Sequence, residues 1–282
     1  RGRRVTAPVA AGPMVPSRHR ITARHPELDG VVTLELTPLD GAAVPARPGQ
    51  FTMLWAFGVG EVPISYSGLP GASPAARHTI RAVGATTRAL CDLPTGAVVG
   101  VRGPFGTSWP LPGAEGGDAV IVAGGIGLAP LRPLVEAVLA PSSGVQRVVV
   151  LLGARSPGQV LYRDELDRWR AAGAEVRVTV DAASPAWRGD VGVVTRLVAA
   201  ADLDPDRTHA FVCGPEPMMR LCARALVDRG VDPTRVVVSL ERSMTCAVAH
   251  CGRCQVGPTL VCRDGPVMSW QAARPLLEVR ER

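Results

Sequence analysis

The sequence predicts a three-part protein. An antiparallel β-barrel spans residues 19–112, an α/β domain with a parallel sheet spans residues 118–240, and a small Cys-rich unit spans residues 241–282. A basic arm over residues 1–18 precedes them. Three observations carry this prediction. Short β-branched stretches separated by Pro and Gly clusters fill the first part. Apolar strand-like and helix-like stretches then alternate, the pattern of parallel strands with crossover helices. Beyond residue 240 the periodicity stops and four cysteines crowd together.

The bulk numbers agree. A chain of 282 residues suits two domains and an appendage. Its hydrophobic content of 46% supports ordinary cores and excludes wholesale disorder. The net charge of +6 sits in the N-terminal region, where Arg1, Arg3, Arg4, Arg18, Arg20 and Arg24 have no acidic neighbour; the rest of the chain is balanced. Aromatic residues are only 4%, which argues against nucleic acid as a partner. No lysine occurs, so a lone arginine says little about function. No apolar run reaches the ~18–20 residues of a spanning helix, so no membrane span and a cytoplasmic location are expected.

In the first part, residues 31–37, 51–55 and 78–83 read as strands, and 47–50, 69–71 and 93–96 as turns. Residues 104–117 are rich in Pro and Gly and read as a linker. The second part gives strands at 119–123, 145–152, 176–180 and 209–213, with 236–240 closing the sheet. Helices are expected at 131–139, 162–172, 191–201 and 217–228.

The cysteines of the last part are Cys246, Cys251, Cys254 and Cys262, spaced C-x4-C-x2-C-x7-C. The first three match the plant-type ferredoxin run, and soft anionic thiolates suit iron. The spacing points to a 2Fe–2S cluster. Structural zinc is the alternative, although it favours two short Cys pairs. Seven cysteines, an odd number, disfavour a disulfide framework. His250 lies inside the run without being needed as a ligand, while Cys91 and Cys222 read as buried thiols.

Two turns suggest a nucleotide. Val120–Ala123 is followed by Gly124, Gly125, Ile126, Gly127, Leu128, Ala129 and Pro130: a strand, a glycine turn and a helix start. Glycines let backbone approach a phosphate, and the helix start offers free amides. Phe211-Val212-Cys213-Gly214-Pro215 repeats the strand-to-helix arrangement and places Cys213 at a strand's carboxyl end, where open α/β sheets bind ligands. For both, a plain structural turn is the competing reading.

In the barrel, Pro63-Ile64-Ser65-Tyr66 offers a hydroxyl for a flavin ring nitrogen at Ser65 and a stacking ring at Tyr66. Gly84, Thr86 and Thr87 open a short helix suited to a pyrophosphate, with Arg81 or Arg88 to offset its charge. Ordinary barrel sequence is the alternative here.

The order of these pieces, with Gly103-Pro104-Phe105-Gly106 between them, resembles the ferredoxin–NADP reductase family over roughly residues 14–265. It resembles in particular the branch with a C-terminal 2Fe–2S domain, which includes the gamma subunit of cytoplasmic nickel–iron hydrogenases and the electron-transfer subunit of dihydroorotate dehydrogenase. The resemblance implies a flavin domain holding FAD, with Ser65 near the ring and Gly84, Thr86 and Thr87 at its phosphates. It implies a nucleotide domain whose 124–130 and 213–215 turns line a nicotinamide cleft.

One position departs from the pattern. Where the family often has an arginine for the flavin pyrophosphate, this chain has Val62, which leaves FMN as an alternative to FAD. Ser65 and Cys213 are expected to be the catalytic, positioning residues, with Glu241 a third. Arg155 and Ser156 follow the second α/β strand, where an adenosine ribose would lie, and the arginine favours NADP. The expected activity is an NAD(P)H-dependent flavin oxidoreductase subunit that wires FAD and a 2Fe–2S cluster to a hydrogenase core. Its docking face is expected around Arg253 and Arg263, with Arg242 at the rim. Alternatives are the dihydroorotate dehydrogenase subunit and a non-catalytic iron–sulfur redox sensor.

Overall fold

The computed structural model describes residues 12–112 and 116–278. The first part holds β1 (Ser17–Leu28), β2 (Val31–Pro38), β3 (Phe51–Ala56), β4 (Gly60–Ser65), β5 (Ala76–Arg81), helix α1 (Ala85–Asp92) and β6 (Val98–Phe105). They form one antiparallel sheet in the order β4-β3-β6-β1-β2-β5. A bridge between Gly68 and Arg77 brings its two edges together. Ile21, Leu34, Leu54, Ile80, Leu90 and Val99 fill the interior, each fully buried.

Most of the expected basic arm, residues 1–11, lies outside the described residues. Its end differs from expectation, because Ser17 and Arg18 already belong to β1 and pair with Val101 and Gly100 of β6. Arg18 meets Asp40 at 2.9 Å and Arg24 donates to the Cys91 carbonyl, so these arginines serve the barrel. The expected linker is also packed. Trp109 is 2% exposed, its indole N–H donates to the Pro130 carbonyl at 3.0 Å, and Thr107 holds the Val267 carbonyl.

The second part contains β7 (Gly117–Gly124), α2 (Leu128–Leu139), β8 (Val145–Ala154), α3 (Arg163–Ala171), β9 (Glu175–Val180), β10 (Asp190–Val191), α4 (Thr195–Ala200), β11 (Thr208–Cys213), α5 (Glu216–Asp228) and β12 (Val236–Ser239). The Cys-rich end adds β13 (Gln255–Val256), β14 (Thr259–Leu260), α6 (Val261–Asp264), β15 (Val267–Ser269) and α7 (Trp270–Glu278). The larger sheet runs β10-β9-β8-β7-β11-β12-β15, parallel except for β15. Residues 236–240 therefore do not close it, since β15 returns antiparallel beside β12.

One face of this sheet packs on α2 and α3 through Ile121, Val150, Leu134 and Trp169. The other packs on α4, α5 and the Cys-rich end through Val122, Val212, Met219, Cys254, Val261, Trp270 and Leu277. The segment after residue 240 thus has no core of its own. Too short to bury one, it borrows the sheet's second face. No helix among the described residues is long and apolar enough to cross a membrane.

Candidate functional site

Two cavities meet where the barrel faces the carboxyl ends of β7 and β11. The larger, about 550 Å³, is lined by Val62–Ser65 of β4, Thr79 and Arg81 of β5, Val83 and Thr87, then Ile126, Ala129 and Pro130, and finally Ser239–Met244. The smaller, about 400 Å³, is lined by Gly124–Gly127, Gly153–Arg155, Asp181, Gly214, Pro215 and Met218. Arg81, Ile126 and Glu241 belong to both. The larger has the size usual for an organic ligand.

The glycines of the turn are there for two reasons. A Cβ at Gly127 would stand 2.5 Å from the Cys213 carbonyl oxygen, and one at Gly124 would stand 2.3 Å from Met218 Sδ. These two residues let the turns after β7 and β11 touch. Gly125 instead has φ +54 and faces the cavity toward Arg81. The turn is a packing device whose remaining glycine opens onto a cleft.

Several expected residues take other places. Tyr66 does not enter the larger cavity. It is 5% exposed and packs on His78 with ring centroids 4.8 Å apart, because it follows Ser65 on the opposite side of an extended chain. Cys213 is 1% exposed, bonded to Ser239 beneath the cleft, and burial pushes its thiol up. The thiol lies buried beneath the cleft, while its neighbours Gly214 and Pro215 line the smaller cavity.

The Thr87 hydroxyl accepts from the amides of Val83 and Gly84 at 3.0 and 2.9 Å, capping α1 while bordering the cavity. Thr86 turns toward Gly60 rather than the cavity, and Gly84 is the N-cap of α1. Arg155 lines the smaller cavity, with Ser156 next to it. Arg242 borders the larger cavity and reaches Glu216 at 3.4 Å, so it lies inward of the expected docking rim.

Sequence reasoning missed Asp181, Ser239 and Met244. Their only signal was position, at or past the carboxyl ends of β9 and β12. Ser65 lines the larger cavity at the end of β4. Its carbonyl is bonded to His78 Nδ1 at 3.1 Å, which holds the end of β4 in place.

The four cysteines come together. Cys246, Cys254 and Cys262 are buried and Cys251 is exposed. Ala247 and Ala249 adopt φ 61 and 58, a conformation that costs a non-glycine residue of order 1–3 kcal/mol. The strained loop aims amides inward. Those of Val248, His250 and Cys251 point to Cys246 Sγ at 3.5, 3.3 and 3.4 Å, and that of Ala249 points to Cys262 Sγ at 3.2 Å. Burial alone would push the Cys246 thiol up, but these amides bring it down to about 6. Cys262, buried beside Cys254, is pushed up to about 11.

The thiols fall into two pairs, Cys246 with Cys251 and Cys254 with Cys262. No three His, Cys, Asp or Glu side chains among the described residues converge on one metal position. A single tetrahedral ion needs four donors around one point, whereas a two-iron cluster takes two ligands per iron.

Comparison with known proteins agrees with this architecture. Residues 121–224 match the family model described as oxidoreductase NAD-binding domain. The chain is 34% identical over 244 residues to sulfhydrogenase 2 subunit gamma of Pyrococcus furiosus, covering 80% of this chain and 84% of that one. It is 39% identical over 225 residues, 78% of each chain, to a Methanocella arvoryzae protein named "Probable dihydroorotate dehydrogenase B (NAD(+)), electron transfer subunit". Among solved structures, one reported for the NADH-dependent reduced ferredoxin-NADP oxidoreductase superposes with a TM-score of 0.74 at 24% identity, over 90% of this chain and 88% of that one. At that identity the likeness concerns the fold.

Proposed function

The chain belongs to the ferredoxin–NADP reductase family, and from that premise we propose that it passes electrons between NAD(P)H, a flavin and a 2Fe–2S cluster on behalf of a partner subunit. The partner favoured is a nickel–iron hydrogenase core. The observation that carries the reading is the meeting of two cavities at Arg81, Ile126 and Glu241, one lined by the barrel and the other by the glycine turns.

Bound flavin supplies the exchange between a two-electron hydride and single electrons, and a two-iron cluster supplies a one-electron outlet. This chain's own residues bind and orient. Val62–Ser65 and Thr79 form one wall of the larger cavity, with Ile126 and Ala129 opposite. Arg81 supplies positive charge at the junction, compensating for Val62. Gly125 and Gly214 leave backbone open to a dinucleotide, Gly124 and Gly127 let the two turns pack together, and these turns lead into α2 and α5. The paired thiols and inward amides of the 246–262 loop suit a cluster with two irons better than zinc.

The dihydroorotate dehydrogenase reading is favoured by the higher identity, 39% against 34%. Copurification decides between the two, since one partner carries nickel and iron and the other oxidises dihydroorotate. For the chain itself, anaerobic protein should carry flavin with about two irons and two sulfides per chain. NAD(P)H should bleach the flavin, and Cys251→Ser should lose the sulfide. Stoichiometric zinc without sulfide rejects the cluster, and a flavin that NAD(P)H leaves oxidised rejects turnover in favour of a redox sensor.

A further inference from the structure

Arg102, on β6, has its side chain 3% exposed, yet it carries a full charge and five N–H donors. All five are used. Nε and Nη2 grip the Glu61 carboxylate at 2.7 and 2.6 Å. Nη1 donates to the carbonyls of Cys246 at 3.0 Å and Pro13 at 3.1 Å, and Nη2 donates to that of Thr245 at 3.2 Å. The guanidinium also lies over the Phe105 ring, 5.6 Å from its centroid. Phe105 packs on Phe51, a wall of the larger cavity, at 5.9 Å.

This one side chain therefore joins two sites. Glu61 stands on β4, four residues before Ser65, in the strand that walls the proposed flavin cavity. Thr245 and Cys246 begin the cysteine loop. β3 separates β4 from β6, so the guanidinium reaches across a strand to make the link. A buried charge with this many partners is costly to assemble and more costly to leave half-paired. A hydrophobic residue would pack the barrel without reaching the loop at all.

We propose that Arg102 is the positioning residue for electron transfer inside this chain. It locks the cysteine loop onto the flavin-side strand, so that the two redox groups keep one separation, and it sets a fixed positive charge beside Cys246. The step it serves moves one electron from flavin to cluster. The flavin is oxidised and the cluster reduced by one electron, and no bond to Arg102 forms or breaks. The charge favours the reduced cluster, which carries one more negative charge. The inference rests on the flavin and cluster reading above.

The test compares full-length wild type, Arg102→Met, Arg102→Lys and Glu61→Gln. Four quantities are read: iron and flavin content, the rate of iron loss to a chelator, the cluster midpoint potential, and the separate rates of flavin bleaching and cluster reduction by NAD(P)H. Removing a group that orients a metal ligand typically costs ~10–100-fold, so Arg102→Met should lose iron faster by that factor. Its cluster potential should fall, and cluster reduction should slow while flavin bleaching holds. Arg102→Lys should recover the potential but not iron retention, because an ammonium cannot span a carboxylate and three carbonyls.

If Arg102→Met fails to fold, the isosteric Glu61→Gln keeps the question open to measurement: iron loss should quicken in the same direction by a smaller factor, while the cluster potential should rise, because the carboxylate that offsets the guanidinium charge is gone. Wild-type iron retention and potential in both Met and Gln variants overturn the inference alone. Equal slowing of bleaching and cluster reduction also overturns it, leaving a general structural role. Wild type lacking sulfide sinks the underlying reading first.

Discussion

Arg81 of β5 and Gly125 of the turn after β7 face one another across the seam between the two sheets, where a Cβ on Gly125 would stand 3.8 Å from Arg81 Nη2. The barrel thereby places a guanidinium over the glycine turn of the other domain, where both cavities can use it.

Arg81→Ala should consequently weaken two ligands at once. Losing hydrogen bonds to a charged phosphate typically costs ~1.5–3 kcal/mol, so flavin dissociation and the NAD(P)H KM should each rise roughly tenfold or more. Flavin fluorescence titration and steady-state kinetics read the two effects. A change in only one would remove Arg81 from the junction.

His78 should make stability depend on acid. Burial pushes its imidazole from 6.5 down to about 4, with the Ser65 carbonyl partly opposing. The folded state therefore prefers neutral His78. Its contribution is complete above pH 6.5 and is lost as pH falls toward and through about 4. The shift corresponds to about 3 kcal/mol. Denaturant unfolding of His78→Gln should show a shallower loss of stability across that window, and parallel curves would refute the assignment.

Arg155 should set the coenzyme preference. It lines the smaller cavity together with Asp181, whose carboxylate would repel an added phosphate. Arg155→Ala should lower kcat/KM for NADPH about tenfold relative to NADH, the equivalent of one charge-assisted bond of ~1.4 kcal/mol. Asp181→Asn should move the ratio the other way. An unmoved ratio in both variants would place the ribose elsewhere.

Arg253 should matter for the partner and not for NAD(P)H. It is exposed beside Cys251, the one exposed cysteine of the four. Arg263 is different, because Asp264 holds it at 2.7 Å and offsets its charge. Arg253→Glu should slow transfer to the partner while dye reduction by NAD(P)H persists, and Arg263→Glu should do less. Equal loss of both activities in Arg253→Glu would mean that this residue supports the loop.

Much of the architecture was legible because its signals are local. A strand of β-branched residues, a glycine turn and a helix start lie within a few positions of each other, so β7, α2, β8, β9, β11 and α5 fall where periodicity put them. The cysteine spacing was legible for the same reason, since ligand chemistry and short loops are written consecutively. Tyr66 was misread because a hydroxyl-bearing ring beside Ser65 looks like a stacking group, and only the pleat decides which way it points. The burial of the Cys213 side chain beneath the cleft was not legible, because a strand's end and the cleft beside it are the same address in sequence but opposite sides of a backbone.

By itself the sequence determined two sheet types, their order, the glycine turns and the four thiols. Each depends on residues near one another, where propensity and spacing act directly. The tertiary structure alone decided that β15 returns to the parallel sheet and that Arg81 serves two cavities. It alone decided that Glu61 and Arg102, 41 positions apart, join the barrel to the loop of Cys246. Those relationships arise from burial. A guanidinium that must satisfy five donors away from water takes whatever carboxylate and carbonyls the packed chain brings to it, and no local pattern records which ones these will be.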